Sequence, residues 1–393
     1  MLKTIIGMAA LAAFSLNATT LSNNGLWYSH GNDGEHPKYT GMATATAKTI
    51  PTAMRGNNGL NYYTWSECVR GTETDTFQIY VGMTDGTKAL VHNASGPKSW
   101  KLCDQHDNAA IRVASDGYIW IHKSARGYWR KSYMYKSNEP WDITKGFKIV
   151  ESDYRAYPQS WSMGLVYTRY NGALREPHIL ANGCDKKLVT GGHYNVSLWD
   201  GKKLHLFYNY HKDGDLDRRI NLYYMYSLNG CDWYNRSGER LELPLEPDSE
   251  LTRILYTDED DQRFVYLKDV RSGTDGAEAL VILSGSNDPV DSAPRNLTVV
   301  KVNGDTRYID EVGHNYNNAC FMSDKYIVSP ISNQYSYDGG DLHVYKLNGE
   351  PLSTIYTKGA ANHCKKIVGA GGIVYSDSVS SEIESDVGVV VYK

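Results

Sequence analysis

The chain has 393 residues and a formal net charge of −4, because 45 Asp plus Glu outnumber 41 Lys plus Arg. A charged fraction of 22% with 12% aromatic residues excludes a disordered chain. The near-neutral balance disfavours a dedicated nucleic-acid-binding protein. The 31 tyrosines far exceed the 6 phenylalanines. Since Tyr joins an apolar ring to a polar hydroxyl, this excess indicates wet, ring-lined surfaces and hints at contact with carbohydrate.

Residues 1–18 are typical of a secretory signal peptide, in which Lys3 precedes an apolar run that small residues close. The run is too short to span a membrane, and no later stretch is long enough. We therefore predict an exported bacterial chain, secreted or periplasmic, that acts as a monomer without membrane or nucleic-acid partners. The six cysteines permit disulfides in that compartment, but the sequence does not assign their pairing.

Short β-rich runs and turns with Gly, Asn or Asp alternate after the signal, and helical periodicity is nearly absent. Seven comparable strand pairs occupy residues 77–93, 111–124, 160–172, 196–211, 277–286, 324–334 and 369–378. Repeats of roughly this length are typical of a propeller rather than a sandwich. The 375 residues after position 18 give about 54 for each of seven repeats, the size of a four-stranded blade. The sequence predicts an all-β, seven-bladed β-propeller in a single domain over 19–393.

Several polar segments place His, Tyr or Arg where an inner strand of such a propeller would begin or end. In propellers these strand ends and loops lie at one mouth of the central channel, where sites form. The candidate site residues are His106, Arg126, Arg130, Tyr157, Arg169, His193, Tyr194, His211 and His314.

The run Asp213, Asp215 and Asp217 offers alternating carboxylates that could bind a structural calcium ion. Two arginines follow at once, and no bidentate Glu stands at the distance that an EF-hand requires. We therefore interpret this run as a surface loop, with structural calcium as the alternative, and predict neither a catalytic metal nor a cofactor for the chemistry.

The order of five short motifs resembles the BNR-4 type propeller family, which includes seven-bladed polysaccharide lyases that act on ulvan-like uronate polymers. The resemblance extends over most of the chain and is best over 103–226 and 313–346. The first motif is polar-His-x-Asn at 105–108, which precedes an Asp-Gly hairpin. The others are Ser-x-Arg-Gly at 124–127, Tyr-x-Ser-x-x-Pro-x-Asp-Ile at 135–143, Tyr-Pro-Gln at 157–159 and His-Asn-Tyr at 314–316.

The resemblance implies roles for individual positions. The pre-hairpin histidine corresponds to His106, the Tyr-Pro-Gln tyrosine to Tyr157 and the arginine that ends the next strand to Arg169. A further channel tyrosine falls on Tyr194. Many members carry a second histidine in a Gly-His-Gly stretch, whereas this chain has Arg126 there. Either Arg126 takes over by binding an acidic group, or one of two other histidines stands in, His122 or His193.

The implied chemistry is β-elimination at a uronic acid. The C5 proton is weakly acidic while the neighbouring carboxylate is charged, so a cation must neutralise that carboxylate. Arg169 suits this role because guanidinium binds carboxylate in a bidentate manner. His106 suits the base because it titrates near neutral pH. Tyr157 suits the acid, or acts as base and acid if a nearby Arg lowers its pKa.

The remaining candidates are predicted to bind substrate. Arg126 and Arg130 could bind sulfate or a second uronate. Tyr194, His211 and Trp161 could stack on sugars in flanking subsites, and His193 and His314 lie at comparable strand ends. Two alternatives stay open: a glycoside hydrolase, which needs two carboxylates about the scissile bond, and a non-catalytic sugar-binding propeller. Candidate segments rich in His, Tyr and Arg but poor in Asp and Glu disfavour hydrolysis.

Overall fold

The computed structural model describes residues 18–26, 48–100, 102, 104–257, 263–288, 291–315, 317–330, 341–356, 360–378 and 384–391. Residues 1–17, which hold nearly all of the predicted signal peptide, lie outside this description. The described part is built from strands, with 3-10 turns only at Lys98–Trp100, Gln105–Asp107 and Lys212–Gly214. In that part of the chain, no helix has the length and apolar character needed to cross a membrane.

The described strands fall into consecutive runs of about four. The first are β1 (Ala18–Leu26), β2 (Ala53–Arg55), β3 (Asn61–Arg70), β4 (Thr74–Met83), β5 (Lys88–Pro97), β6 (Ala109–Val113), β7 (Ile119–Lys123), β8 (Ser132–Glu139) and β9 (Asp142–Asp153). Next come β10 (Ala156–Ser160), β11 (Leu165–Asn171), β12 (Leu174–Ala181), β13 (Cys184–Lys187), β14 (Asn195–Trp199), β15 (Leu204–His211), β16 (Arg219–Ser227), β17 (Trp233–Tyr234) and β18 (Arg253–Leu255). The last are β19 (Phe264–Gly273), β20 (Gly276–Ser284), β21 (Arg295–Lys301), β22 (Thr306–Glu311), β23 (Cys320–Phe321), β24 (Tyr326–Pro330), β25 (Leu342–Lys346), β26 (Pro351–Ile355), β27 (Ala360–Val368), β28 (Gly372–Ser378) and β29 (Glu384–Val391).

These strands form six hydrogen-bonded sheets in the described part of the chain. Sheet 1 has eight strands in the order β1-β29-β28-β27-β2-β3-β4-β5. Sheets 2 and 3 are β6–β9 and β10–β13, sheet 4 is β14–β17 with β18 paired to β16, and sheets 5 and 6 are β19–β22 and β23–β26. Neighbouring strands pair antiparallel except β2 and β27, which pair in parallel. The prediction of an all-β propeller is confirmed.

The prediction of seven blades is not confirmed, because the hydrogen bonds give six sheets. The physical reason lies in sheet 1, where Ala53 pairs with Ile367 and Met54 with Val368. This short parallel ladder joins a run at the start of the chain to a run at its end, so their strands share one sheet. Strand β1 also pairs antiparallel with β29, which brings the two ends of the described chain together.

The first strands of the runs lie next to one another around a common axis. Strand β6 contacts β2 and β10, β19 contacts β14 and β23, and β27 contacts β23 and β2. Gln159 joins β10 to β14, because its amide donates to the Asn195 carbonyl at 3.0 Å and accepts from the Ser197 hydroxyl at 2.6 Å. Side chains on these first strands and their loops therefore face a shared central region.

The apolar core lies between adjacent sheets and uses many of the tyrosines. Tyr208 and Tyr223 of sheet 4 are fully buried and stack with ring centroids 4.9 Å apart. Tyr266 of sheet 5 is also fully buried. Many of the tyrosines on these strands therefore serve packing, and a buried hydroxyl can keep a polar partner there, as Tyr208 does with the Thr252 hydroxyl at 2.6 Å.

Three of the predicted strand pairs are confirmed, as β4–β5, β6–β7 and β14–β15. The segment 160–172 holds β11 but only the last residue of β10, so its first strand is placed too late. The pairs at 277–286 and 369–378 are wrong, since each contains a single described strand, β20 or β28. Gly285 directly follows β20, and Gly369 directly follows β27. In two of these segments, glycine therefore ends a strand instead of forming the turn between two strands. The segment 324–334 contains β24, and its second half is not tested. Residues 331–334 of the remaining segment lie outside the described residues.

One disulfide connects neighbouring sheets. Cys184 at the start of β13 is bonded to Cys231, in the turn between β16 and β17, across 47 residues of sequence. That turn is held by Asn229, whose side-chain oxygen accepts from the backbone N–H groups of Cys231 at 2.9 Å and Asp232 at 2.8 Å. The expectation that the cysteines permit disulfides is confirmed for this pair.

Replacing both cysteines, in Cys184→Ser with Cys231→Ser, should lower the free energy of unfolding by about 4 kcal/mol. A loop of this length loses that much entropy in the unfolded chain when it is closed. Urea unfolding followed by tryptophan fluorescence measures the change. An unfolding midpoint equal to that of the unaltered protein would show that the cross-link adds no stability.

Candidate functional site

The Asp104 carboxylate organises the predicted catalytic histidine. Its Oδ1 atom accepts from Nδ1 of His106 at 2.5 Å and from the His106 backbone N–H at 2.9 Å. His106 lies in the 3-10 turn Gln105–Asp107, directly before β6. The sequence predicts this position just before a strand. Both side chains are largely buried, with 17% of His106 and 13% of Asp104 exposed. Because a carboxylate only accepts hydrogen bonds, Nδ1 carries the proton and Nε2 is the basic nitrogen.

Two arginines share the same carboxylate. The Nε atom of Arg126 and a terminal nitrogen of Arg130 each lie 3.0 Å from Oδ2 of Asp104. Burial alone would raise the pKa of the Asp104 carboxyl, but the contact with His106 and the charges of Arg126 and Arg130 hold it well below its usual range. Arg130 also reaches Asp107 at 2.6 Å. Asp104 is therefore charged at neutral pH and fixes three cationic or titratable groups.

Tyr157 has an unusual backbone conformation. Its φ angle is +49°, in the left-handed region that residues other than glycine seldom adopt. A residue before proline is further restricted to extended conformations, and Pro158 follows directly. The Ser124 hydroxyl accepts from the Tyr157 backbone N–H at 3.0 Å and helps to hold the conformation. Such strain is concentrated at functional sites, so Tyr157 is a strong candidate for a functional role.

The ring of Tyr157 is the centre of an aromatic group. Its centroid lies 6.0 Å from His106, 5.9 Å from Tyr194 and 6.5 Å from Tyr170, and its hydroxyl lies 3.2 Å from that of Tyr170. The guanidinium of Arg175 lies 5.0 Å from the Tyr170 ring and 5.7 Å from the Tyr194 ring. We call these five residues the Tyr157 cluster.

The protonation of the cluster follows from burial. The pKa of Tyr157 is raised well above 10, chiefly by burial and then by the neighbouring phenols of Tyr170 and Tyr194. Arg175 and Arg126 pull this pKa down but do not overcome burial. The condition under which Tyr157 would act as both base and acid, a pKa lowered by a nearby arginine, is therefore not met. Tyr157 carries its proton at neutral pH.

The structure does not bring Arg169 to this cluster. Its guanidinium lies 2.9 Å from Asp153 and stacks on Tyr167 at 5.6 Å. Successive side chains on a strand point to opposite faces, so on β11 the next residue, Tyr170, reaches the Tyr157 cluster while Arg169 faces away. Arg175 is the residue directly opposite Tyr170 on β12.

Sequence reasoning therefore missed Arg175 and Tyr170. The available signal was the two-residue period of the β11–β12 hairpin, which places both on one face once the Asn-Gly turn at 171–172 fixes the register. Burial lowers the pKa of Arg175, but the phenols of Tyr194, Tyr157 and Tyr170 raise it overall. Arg175 is thus a fixed positive charge inside the cluster.

Two of the predicted binding histidines are fully buried. Both ring nitrogens of His193 lie 2.7 Å from backbone carbonyls, those of Asn209 and Thr190. Burial lowers its pKa to about 4 although both carbonyls raise it, and the neutral ring has a single N–H, so it donates to only one of them. His211 packs edge-on against Tyr194 with centroids 4.5 Å apart, and neither of its ring nitrogens has a hydrogen-bond partner among the described residues.

Three other candidates lie outside the Tyr157 cluster. Trp161 is buried in the core and donates to the Ser197 hydroxyl at 2.8 Å, so the expectation that it stacks on sugars is wrong. His122 is buried on β7, and burial with the charge of Arg112 lowers its pKa to about 3. His314 is buried between β22 and β23, where its carbonyl accepts from the Asn317 N–H at 3.0 Å.

A cavity of about 770 Å³ opens beside Asp104, Arg126 and Arg130. Trp100 and Trp129 line it and are highly exposed, at 59% and 63%. Large exposed aromatic rings next to fixed cations suit an anionic ligand with flat apolar faces. Arg126 and Arg130, predicted to bind substrate, therefore stand between this cavity and the Tyr157 cluster.

No group of three His, Cys, Asp or Glu side chains in the described part of the chain is placed to hold a metal ion. In the loop considered for calcium, the Asp213 carboxylate pairs with Arg218 at 3.1 Å. The backbone N–H of Asp217 donates to the Asp215 side chain at 2.9 Å. These contacts agree with the interpretation of this segment as a surface loop.

The fold is similar to those of known polysaccharide lyases. An ulvan lyase described as a new polysaccharide lyase family, PL25, matches with a TM-score of 0.65 at 14% identity, over 93% of this chain and 94% of the other. The same values hold for that enzyme bound to -[GlcA(1-4)Rha3S]-. The polysaccharide lyase Uly1 matches with a TM-score of 0.62 at 10% identity, over 96% and 99%. No protein-family model matches this chain, and no curated protein sequence does.

The variant Asp104→Asn should lower the free energy of unfolding at pH 7 by about 3 kcal/mol, since it leaves buried cations without their counter-charge. Because folding lowers the pKa of Asp104, its contribution is present above the unfolded pKa of about 3.9 and is lost as pH falls further. Urea unfolding at pH 7, 5 and 3 should show the difference between the two proteins shrink at the lowest pH.

The control is Asp275→Asn, whose exposed pair with Lys301 at 3.2 Å lies far along the chain in a hairpin turn. An exposed pair of this kind contributes at most about 1 kcal/mol. Equal losses in the two variants, or a loss in Asp104→Asn that does not change with pH, would contradict the assignment.

Proposed function

We propose that this chain is a secreted polysaccharide lyase that cleaves a uronic-acid-containing, ulvan-like polysaccharide by β-elimination. The observation that carries the proposal is the Tyr157 cluster, where an oriented histidine, a protonated phenol and a fixed arginine meet. The propeller fold shared with ulvan lyases supports it. A neighbour with a glucuronate–rhamnose sulfate fragment bound makes a sulfated substrate the first choice for a test.

Elimination breaks the C5–H and C4–O bonds and forms a C4=C5 double bond. A base takes the C5 proton, electron density moves through the carboxylate and the C4 oxygen leaves as an alcohol once an acid protonates it. Charge that develops on the carboxylate must meet a cation that is already in place. The groups needed are thus one base, one acid and one guanidinium within reach of a single sugar ring.

His106 is assigned as the base and Tyr157 as the acid. With Nδ1 protonated toward Asp104, the lone pair of His106 is on Nε2, the arrangement that a carboxylate–histidine pair gives a general base. Tyr157 holds its proton because its pKa is raised, which suits proton donation to the leaving oxygen. Their rings lie 6.0 Å apart, edge to face, so both groups are close enough to act on one sugar ring.

Arg175 is assigned as the group that neutralises the uronate carboxylate. It lies among the three phenols of the cluster and is 9% exposed, so its charge acts in a poorly hydrated site. Arg126 approaches from the cavity side and is held by Asp104 at 3.0 Å. In this arrangement Arg175 binds the reacting uronate, and Arg126 with Arg130 binds a neighbouring acidic or sulfate group.

The cavity supplies flanking subsites for a long substrate. Trp129 and Trp100 have exposed ring faces on which sugars can stack. Arg126 and Arg130, between these rings and the Tyr157 cluster, supply positive charge. A chain that lies across both regions would be cut within its length, which is the behaviour of an endo-acting enzyme. No cofactor is needed, because every proton transfer is assigned to a side chain.

Hydrolysis is less favoured by the same contacts. A hydrolase needs one carboxylic acid that is protonated near neutral pH. Asp104 contacts the cluster through His106, and that contact together with the charges of Arg126 and Arg130 keeps it ionised. It is therefore a positioning residue for His106 rather than an acid.

We also infer that sheet 1 consists of two blades, which would make seven blades in all. One is formed by β27–β29 together with β1, and the other by β2–β5. Each is a four-stranded antiparallel run like the other sheets, and three residue pairs join them, two between β2 and β27 and one between Gly25 of β1 and Glu67 of β3. Pairing of β1 with β29 would then close the last blade, and a cleaved signal before β1 would be compatible with that closure.

The purified protein should release unsaturated uronate from ulvan, measured by the growth of ultraviolet absorbance. Tyr157→Phe should lower kcat by at least about 100-fold, because the acid is lost while the ring remains. Tyr234→Phe, on the edge strand of sheet 4, should retain activity. New reducing ends without absorbance would identify a hydrolase, and binding without new ends would identify a sugar-binding protein.

A matched pair of arginine variants decides which guanidinium neutralises the carboxylate. Arg175→Met should lower kcat/KM by roughly 100- to 1000-fold, as expected when a preorganised donor to a developing charge is removed. Arg169→Met should lower it less than about fivefold, because that residue forms a partly exposed ion pair. The reverse order would assign the role to Arg169 and overturn the present choice.

A further inference from the structure

A second polar cluster lies beside the Tyr157 cluster and is not used by the proposed chemistry. It is defined by Lys48, His211, Arg219, Lys268 and Lys365, which we call the channel cations. Lys268 and Lys365 are on β19 and β27, two of the first strands around the axis. All but Lys48 are buried, with exposures of 5% or less. Buried cations are rare unless they are paired, so their grouping requires a physical reason.

Two tyrosine rings link three of these cations into a continuous array. The Nζ atom of Lys48 lies 4.2 Å from the centroid of Tyr194, and the guanidinium of Arg219 lies 4.9 Å from it. Arg219 also lies 4.4 Å from the Tyr266 ring, and Lys268 approaches that ring at 5.9 Å. Three positive charges are therefore held within the width of two rings.

The three lysines have no ion-pair partner among the described residues. In the described residues, no carboxylate lies within ion-pair distance of Lys48, Lys268 or Lys365, although the ammonium of Lys268 donates to the Asn315 carbonyl at 2.7 Å. Burial lowers the pKa of Lys365, and the charge of Asp269, which lies beyond ion-pair distance, only partly offsets this. Burial lowers the pKa of Lys48 and Lys268, and neighbouring cations of the array, Arg219 above all for Lys48, lower it further. Mutual repulsion on this scale is relieved when an anion binds.

His211 gives an independent sign of a ligand. It is fully buried against Tyr194, yet both ring nitrogens lack hydrogen-bond partners in the described part of the chain. A buried polar atom without a partner is uncommon and energetically costly, so it often marks the place of a bound ion or water. An acceptor placed among the channel cations would satisfy the N–H of this ring.

We propose that the channel cations bind one compact, multiply charged oxyanion of the sulfate or phosphate type. Such an ion presents several acceptor oxygens to converging ammonium, guanidinium and imidazole donors and balances more than one charge. A free inorganic ion and the sulfate ester of a polysaccharide share this chemistry. The site does not depend on lyase activity, since none of the three lysines belongs to the Tyr157 cluster.

The test uses inorganic sulfate and thermal unfolding, with ionic strength kept constant by sodium chloride. Sulfate at about 100 times its Kd should raise the Tm by about 4 °C, and the rise should saturate. Lys268→Met and His211→Phe should each weaken the apparent sulfate affinity at least about tenfold. Without sulfate, both variants should be at least as stable as the unaltered protein, because each removes a buried charge or an unsatisfied polar ring.

The matched control is Lys325→Met, an exposed lysine in the turn between β23 and β24. It should show the full sulfate effect. A rise that is linear and equal in all four proteins would be the general salting effect of sulfate and would overturn the proposal. A saturable rise that survives in Lys268→Met and His211→Phe would also overturn it, because the ion would then bind elsewhere.

The source of the oxyanion is settled by competition. Calorimetric titration of Tyr157→Phe with ulvan, before and after chemical desulfation, is repeated with inorganic sulfate at saturation. Loss of ulvan affinity on desulfation and on adding sulfate identifies a sulfate ester of the polysaccharide as the ligand. Ulvan affinity that neither treatment changes identifies a free ion. Both results keep the site, and its existence is decided by the unfolding experiment even if ulvan is not a substrate.

Discussion

The buried Asp104 carboxylate is the contact on which the candidate site depends. One oxygen fixes the proton of His106 on Nδ1, and the other holds Arg126 and Arg130. Removing a single charge would therefore disturb the base on one side and the walls of the cavity on the other. Buried charges are retained where geometry matters more than stability. Here the geometry is that of a histidine whose Nδ1 faces the carboxylate and whose ring lies beside a protonated phenol, Tyr157.

The same region shows how the propeller carries strain at one point. Tyr157 adopts its positive φ because both of its flanks are fixed. Its N–H is held by Ser124 from sheet 2, and two residues later Gln159 is bound to Asn195 and Ser197 of sheet 4. Strain of this kind persists only when the surroundings over-determine the backbone. The phenol is thus positioned by three sheets together, which no isolated hairpin could do.

The sequence predicted the strand-rich architecture and the neighbourhood of the site, because both depend on local patterns. Alternating runs around Asp-Gly and Asn-Gly turns identify hairpins, and His106 and Tyr157 lie at strand ends that such patterns locate. It did not predict which face each residue occupies. The strand end at Arg169 can be located from the sequence. The phase of the two-residue alternation, which decides that Arg175 rather than Arg169 faces the axis, cannot.

Burial was the second quantity that local patterns could not supply. Both ring nitrogens of His193 face backbone carbonyls, while those of His211 face none in the described residues. In the sequence the two are simply histidines near strand ends. The same limit applies to the sheets, since the parallel ladder that joins β2 to β27 depends on residues more than 300 positions apart in the chain.

Electrostatics then connects the two clusters. The whole chain is slightly acidic, yet its axis concentrates cations on both sides of one ring, that of Tyr194. Arg175 lies 5.7 Å from this ring with the catalytic candidates, and Lys48 and Arg219 lie 4.2 and 4.9 Å from it with the channel cations. Positive charge in a poorly hydrated channel attracts polyanions over long range and favours their entry.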